Sequence, residues 1–376
     1  MASLVSNVGV LFGGPSPEHD VSVLTGLQAV RALESSGRFE RVSTIFWSKN
    51  GDFYLVPRSR EAKDFTEGVP QDAEALALTC GSEGGFLLRK GRFAGRSELV
   101  PLDSVVICSH GGPGEDGSLQ GALDLCGVPY TGPSLSSAAL GMDKFATGEI
   151  IRGAGITTLE RRVLSSDLES LPFDGPYIVK PRFGGSSIGI EVVADLATAK
   201  ALLRSNVHFR RGGVIEPFRG DLFDLQIALC THPSLKLSAI ERPLRSGNDG
   251  EILNYKDKYV GGAGMDAAAR ELPAMITTEL EHSIRVATAT AAIALGVRGV
   301  ARIDFLSDGT SLYLNEINTI PGSLSRHLFI DPVLSFDELL NNMIEESRDR
   351  PTAIFSSAGA DGSLLRDAKS ISAKLG

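Results

Sequence analysis

Residues 312–329 read LYLNEINTIPGSLSRHLF. The first half alternates like a strand, and side chains of period 2 share a side, so Leu312, Leu314, Glu316 and Asn318 are expected on one face. Two apolar residues are then followed, on that face, by a carboxylate and an amide. Burying a charge without a partner is costly, so something should balance Glu316. Just upstream, ARIDF (residues 301–305) places Arg302 and Asp304 on one face of a second strand, and the intervening DGTS predicts a hairpin. Pairing the strands gathers Arg302, Asp304, Glu316 and Asn318 into a patch of oxygens with one guanidinium. Two readings fit. Carboxylate and amide oxygens suit Mg²⁺, usually held by one or two carboxylates with substrate phosphates. An Arg–carboxylate network spanning the hairpin accounts for the same residues.

Three further stretches carry candidate chemistry. YIVKPRFGGSSIG (177–189) is a strand ending in Lys180 and then a Gly-Gly-Ser-Ser loop, offering an ammonium, open backbone N–H groups and hydroxyls to phosphate oxygens. The lysine precedes the glycines, so this is not a Walker A loop, and a plain glycine hairpin remains the alternative. In HGGPGEDGSLQGAL (110–123) a strand end delivers His110 to a glycine loop, and capping alone accounts for Glu115, Asp116 and Ser118. GGPSPEHD (13–20) opens a helix, with Ser16 expected at the N-cap, Pro17 at the first position and Glu18 in the first turn. A helix N-terminus favours an anion, whereas Glu18 and His19 also read as solvated first-turn residues.

The opening of the chain, to about residue 109, alternates strands (VGVLF, VSTIFWS, SVVICS) with a helix, which predicts an open parallel sheet whose strand ends face a ligand. Residues 58–100 read as an irregular excursion. The expected division is an N-terminal α/β unit over 1–130, a central unit over 131–217, a C-terminal unit over 218–350 with a mobile loop at about 246–270, and a tail over 351–376. The composition, 42% hydrophobic and 22% charged, is that of a folded protein, and a net charge of −9 argues against nucleic acid as a partner. No apolar run approaches a membrane span and no basic n-region precedes the first strand, so a cytoplasmic protein is expected. Cys80, Cys108, Cys126 and Cys230 lack zinc-ligand spacing and read as reduced thiols.

In this order, LFGGPSPEHDVS, HGGPGEDGSLQGALDLCGVPYTG, MDK, KPRFGGSSIG, DKY and ARIDF…LNEINTIPG resemble the D-alanine–D-alanine ligases of the ATP-grasp superfamily, from about Val8 to Leu328. The resemblance implies a three-domain α/β ATP-grasp architecture, with ATP gripped between the second and third domains. The implied reaction phosphorylates one amino acid's carboxylate with MgATP, and a second amine then displaces phosphate to form a peptide bond. By resemblance two Mg²⁺ ions (with Mn²⁺ as the alternative ion) sit on Asp304, Glu316 and Asn318. Lys144, Lys180 and Lys258 contact the nucleotide phosphates. Arg302 and the Gly322 N–H stabilise the tetrahedral intermediate. Glu18 takes the first ammonium and is joined by Ser186 and Tyr259, while His110 lies near the first carboxylate. Ser187 belongs to the lid, Glu216 to the segment meeting adenine, and a homodimer is implied.

Two stretches depart from the family pattern. The family's PGMTSHS is here PGSLSRH: Ser325 is retained, but His327 stands where a serine usually helps hold the second amino acid's carboxylate. A changed second substrate, in a natural-product or self-resistance pathway, is therefore the alternative to the housekeeping ligase. In EPFRGDLFDLQIAL the family's ribose-binding acid is replaced by Leu222, with Asp221 or Asp224 as substitutes. A nucleotide-binding regulator without turnover is the competing class, and the retained Arg302, Asp304, Glu316, Asn318 and lysines speak against it.

Overall fold

The computed structural model describes residues 6–81, 83–89, 98–244, 269–352 and 356–367. The first sheet comprises β1 (Asn7–Gly13), β2 (Arg41–Trp47), β3 (Phe53–Val56), β4 (Glu74–Thr79), β5 (Gly85–Leu88), β6 (Glu98–Leu99) and β7 (Ser104–Ile107), in the order β6-β5-β4-β3-β2-β1-β7. β1 runs parallel to both β2 and β7, with α1 (His19–Ser36) crossing over after β1. The other pairs are antiparallel. The sheet is thus mixed, and the stretch read as an irregular excursion supplies its outer meander. Those strands are short and half-exposed, so their alternation is diluted by charges and turn glycines.

α1 starts later than its sequence signals suggest. Glu18 occupies the N-cap position, and Ser16 closes a preceding turn: its hydroxyl accepts from the Glu18 N–H (3.1 Å) and donates to the His110 carbonyl (2.7 Å). After α2 (Gly112–Glu115) and α3 (Ser118–Cys126), α4 (Leu135–Met142) and α5 (Lys144–Gly153) lead into a second sheet. Its strands are β8 (Arg162–Leu164), β9 (Tyr177–Pro181), β10 (Glu191–Val193) and β11 (Gly213–Pro217), all antiparallel in the order β10-β9-β11-β8. α6 (Leu196–Ser205) contributes Ala199 to its small core beside Val179, Phe209 and Ile215.

The third sheet is also antiparallel: β12 (Phe223–Cys230), β13 (Lys236–Pro243), β14 (Arg270–Glu271), β15 (Val300–Ser307) and β16 (Leu312–Asn318), ordered β14-β13-β12-β15-β16. α7 (Thr278–Ala294) covers one face. α8 (Phe336–Asp349) instead packs Leu339, Leu340, Met343 and Ile344 into the apolar cluster of the first sheet, which Ile320, Leu324 and Leu328 also join. The end of the third unit is thereby anchored on the first. Among the described residues no helix is long and apolar enough to cross a membrane.

The β15–β16 hairpin forms as expected, but its faces do not. Arg302 pairs with Asn318 and Asp304 with Glu316, whereas Phe305 pairs with Leu314, leaving Asn315 as an extra residue. This bulge reverses the alternation midway along β16. Leu314 and Ile317, three apart, both enter the core with Ile303 and Phe305, while Glu316 and Asn318 line a cleft on the other side. Leu314 and Glu316 therefore do not share a face.

Candidate active site

Two clefts meet over the β15–β16 hairpin, and Lys144, Gly184, Gly185, Gln226 and Glu316 line both. The first is bordered by Glu18, His110, Ser186, Arg302, Asn318, Gly322 and His327. The second holds Lys180, Ser187, Glu216, Asp304 and Asn315 at its polar end and Leu159, Ile178, Ile190, Phe218 and Leu306 at its apolar end.

The polar end of the second cleft is a compact charge network. Glu216 is fully buried, with Oε1 2.5 Å from Arg161 Nε and Oε2 2.9 Å from Lys180 Nζ. Burial alone would raise this carboxyl's pKa, but the charges of Arg161 and Lys180 outweigh it and hold it down at about 2. Lys180 also donates to Asn315 Oδ1 (3.1 Å), and Arg161 donates to the carbonyls of Asn315 (3.2 Å) and Lys144. Both Glu216 oxygens are thus committed to cations, so Glu216 orients Lys180 and does not offer its carboxylate to the open space. Lys144 follows Asp143, whose carboxylate caps α5 and takes the Arg182 fork at 2.8 and 2.6 Å. The Lys144 ammonium donates to the Gly184 carbonyl, and burial lowers its pKa.

The glycine loop reaches across to the first unit, where Ser186 Oγ donates to Glu18 Oε1. Glycine is needed on both sides of that carboxylate: a Cβ at Gly111 would fall on Glu18 Oε2, and one at Gly185 would lie 3.1 Å from it. Ser186 and Ser187 are left-handed, with φ of 54° and 58°. So are Ser323, Leu324 and Ser325 after Gly322, a conformation costing about 1–2 kcal/mol per residue. Strain held at two loops flanking one cleft is a mark of functional constraint.

On the hairpin, Arg302 forks onto Asp304 (2.6 and 2.8 Å), and Asn318 Nδ2 donates to the same carboxylate (3.1 Å). The Arg–carboxylate network is therefore present. Among the described residues no three His, Cys, Asp or Glu side chains form a metal-holding group, so the candidate set is two carboxylates and an amide. At the far end of the first cleft, His327 Nε2 lies 3.2 Å from Glu241 Oε2, and Arg270 approaches Oε1 at 3.3 Å.

With this geometry in view, the comparisons with known proteins are specific. Residues 7–133 match the family model described as D-ala D-ala ligase N-terminus, and residues 149–345 match D-ala D-ala ligase C-terminus. The chain belongs to the D-alanine–D-alanine ligase family. A D-alanine–D-alanine ligase of Campylobacter lari is 32% identical, covering 89% of this chain and 92% of the relative. One from Campylobacter concisus is 31% identical over 90% and 93%. The crystal structure of D-alanine–D-alanine ligase from Helicobacter pylori superposes with a TM-score of 0.72 at 27% identity, covering 93% of this chain and all of that one.

Most residues nominated by the ligase resemblance line one or both clefts: Glu18, His110, Lys144, Lys180, Ser186, Ser187, Glu216, Arg302, Asp304, Glu316, Asn318, Gly322 and His327. Ser325 does not. It is fully buried and lines neither cleft, because the left-handed turn folds it inward. Lys258 and Tyr259 lie outside the described residues. His110 has both ring nitrogens engaged within the protein, on the Ile320 carbonyl (2.7 Å) and Thr25 Oγ1 (2.8 Å). Of the two acids offered for the ribose, Asp224 lines the second cleft, while Asp221 sits on the surface paired with Arg219. Sequence reasoning passed over Arg161, Asn315, Gln226 and Glu241. Asn315 became recognisable only with the bulge, Gln226 lies within EPFRGDLFDLQIAL but carries no signal of its own there, and Arg161 and Glu241 sit in stretches that carry no motif.

Proposed function

We propose that this chain joins two molecules of D-alanine into D-alanyl-D-alanine, with conversion of ATP to ADP and phosphate. The observation that carries it is the junction. In a chain of this family, a cleft with an apolar end and two fixed lysines opens at Glu316 into a second cleft ending at Glu18. A nucleotide's phosphates and an amino acid's carboxylate can meet there, as in-line phosphoryl transfer requires.

Glu18, held by Ser186, receives the first ammonium. Lys180, oriented by Glu216, and Lys144 face the phosphates. Arg302 and the Gly322 N–H receive the charge that develops when the second amine attacks the acyl phosphate. Ser187 and the glycine loop, with Lys258 and Tyr259 by resemblance, close over the site and exclude water. His327 faces the carboxylate of the second amino acid. The donor set on the hairpin fits a hard divalent cation: Asp304 and Glu316 are opposite one another in register, with Asn318 beside them. Asp304, already forked by Arg302, would serve both that guanidinium and the cation. A divalent cation held there supplies neutralisation of phosphate charge.

The units 1–130, 131–217 and 218–350 then supply the amino-acid end, the nucleotide end and the reactive hairpin. Two ions per site, Mn²⁺ as a substitute, a homodimer and a cytoplasmic setting rest on family resemblance. The test is phosphate release from MgATP with D-alanine, with the product weighed by mass spectrometry. D-alanine-dependent release and a dipeptide are expected. ATP binding with no such release would make the chain a nucleotide-binding protein without turnover.

A further inference from the structure

We propose that Thr25 is a positioning residue that acts through His110 to hold the turn from Ile320 to Ser323, and so aims the Gly322 N–H at the reacting centre. This rests on the ligase reading above. Thr25 is fully buried in α1, just beyond the end of the LFGGPSPEHDVS motif, and reads as a core residue. Its hydroxyl nevertheless lies 3.0 Å from the Ser323 N and 2.8 Å from His110 Nε2.

The hydrogens in this chain can be placed by elimination. The Ser323 N–H can only donate, so Thr25 Oγ1 accepts there. A hydroxyl oxygen has two acceptor positions, so this bond alone leaves the Thr25–His110 direction open, and the other ring nitrogen decides it. The Ile320 carbonyl, 2.7 Å from Nδ1, can only accept, so Nδ1 carries a hydrogen and donates it there. With the ring neutral, Nε2 is unprotonated and accepts the hydrogen of the Thr25 hydroxyl. Burial lowers the His110 pKa and favours that form. A third anchor agrees: buried Glu115 accepts the Ile320 N–H at 2.9 Å.

Both ends of the turn are thus fastened to the N-terminal unit. Between the anchors Pro321 has no N–H, so the turn contributes one, that of Gly322, at the edge of the first cleft. The left-handed residues that follow are strained and need such fastening. A misplacement of about 1 Å in a reacting geometry costs on the order of a hundredfold in rate, so the anchor's effect should appear in kcat.

The full chain is assayed with MgATP and D-alanine. Thr25→Val should lower kcat about ten- to a hundredfold. The KM for ATP should stay within about twofold because the second cleft is untouched, and the thermal midpoint should fall by only about a few degrees, as expected for one lost buried acceptor. Affinity for a phosphinate dipeptide analogue, a tetrahedral anion, should fall in parallel with kcat. Thr25→Ser restores most of kcat, and Thr25→Ala gives the same reading should the valine variant not fold. Wild-type kcat in the valine or alanine variant, equal loss in the serine variant, or unchanged phosphinate affinity beside a reduced kcat overturns the proposal. A wild type without D-alanine-dependent phosphate release overturns the ligase reading instead. The anchor is then still read from the nitrogen NMR of His110, where an Nε2–H tautomer or a charged ring refutes it and a neutral Nδ1–H ring sustains it.

Discussion

The two clefts share Glu316 but are built by opposite means. At the phosphate end, fixed charge is made by burying ions against each other: one carboxylate, Glu216, holds Arg161 and Lys180, and Arg161 reaches on to Asn315 and Lys144. At the amino-acid end, neutral or singly charged side chains grip backbone groups: Thr25, His110 and Glu115 hold the turn after β16. The first arrangement fixes where positive charge stands. The second fixes where one N–H points. A substrate carrying several negative charges needs the former, and a single developing oxyanion needs the latter.

The largest effect should come from breaking the hairpin on which both clefts rest. Asp304→Ala or Glu316→Ala is expected to lower D-alanine-dependent phosphate release by about a thousandfold or more, with far-ultraviolet circular dichroism unchanged, since each removes a carboxylate that would hold the cation neutralising the phosphates. Activity that remains dependent on Mg²⁺ at the wild-type level in either variant would show that these carboxylates form only the Arg302 network.

Next in size is Glu216→Gln, which strips Arg161 and Lys180 of the carboxylate they share. Two cations are left buried without it, and unfolding in urea should show a loss of about 3–5 kcal/mol. Its pH dependence has a definite sign. The folded value lies near 2, below the ordinary 4.5, so the stabilisation is complete above the ordinary value and is lost as pH falls toward 2. The glutamine variant should lack that part of the acid-induced loss. Identical acid profiles would mean that the network does not report on Glu216.

How much of this was legible differs between the two ends. The lysines, the glycine loop and the hairpin carboxylates stand in contiguous motifs, and their residue types name their chemistry. Period-2 reading, however, put Leu314 and Glu316 on one face. A single bulged residue, Asn315, reversed that, and no signal within LYLNEIN marks a bulge. The charge of Glu216 was legible, but its direction was not, because Arg161 lies 55 positions away and bears no motif. Glu115 read as a helix-capping acid, yet it is buried on Ile320, with a pKa raised to about 7 chiefly by burial and then by the Glu18 charge. Thr25 was invisible, since only the fold brings helix and turn together.

A smaller effect should separate the loop from both ends. Ser186→Ala removes the hydrogen bond to Glu18 while leaving the lysines in place. A bond to a charged group is worth about 1.5–3 kcal/mol, so the KM for the first D-alanine should rise at least about tenfold. The KM for ATP should move little. A change in the ATP KM alone would place Ser186 with the phosphate end.

The smallest expected effect tests the residue that departs most from the family pattern. His327 lies 3.2 Å from Glu241, a carboxylate that is buried yet also faces Arg270. Burial would raise the Glu241 pKa, but the His327 hydrogen bond and the charges of His327, Arg270 and Arg302 outweigh it and lower it. His327→Ser removes only one of these partners, and Arg270 remains, so the loss should be that of a partly exposed pair, up to about 1 kcal/mol. That corresponds to a rise of up to about fivefold in the KM for the second D-alanine, resolved from the first by the biphasic dependence of rate on D-alanine. The phosphate end, across Glu316, should show an unchanged ATP KM. A variant in which only the first D-alanine's KM moves would place His327 beside Glu18. The amino-acid end would then present one subsite, not two, along the cleft.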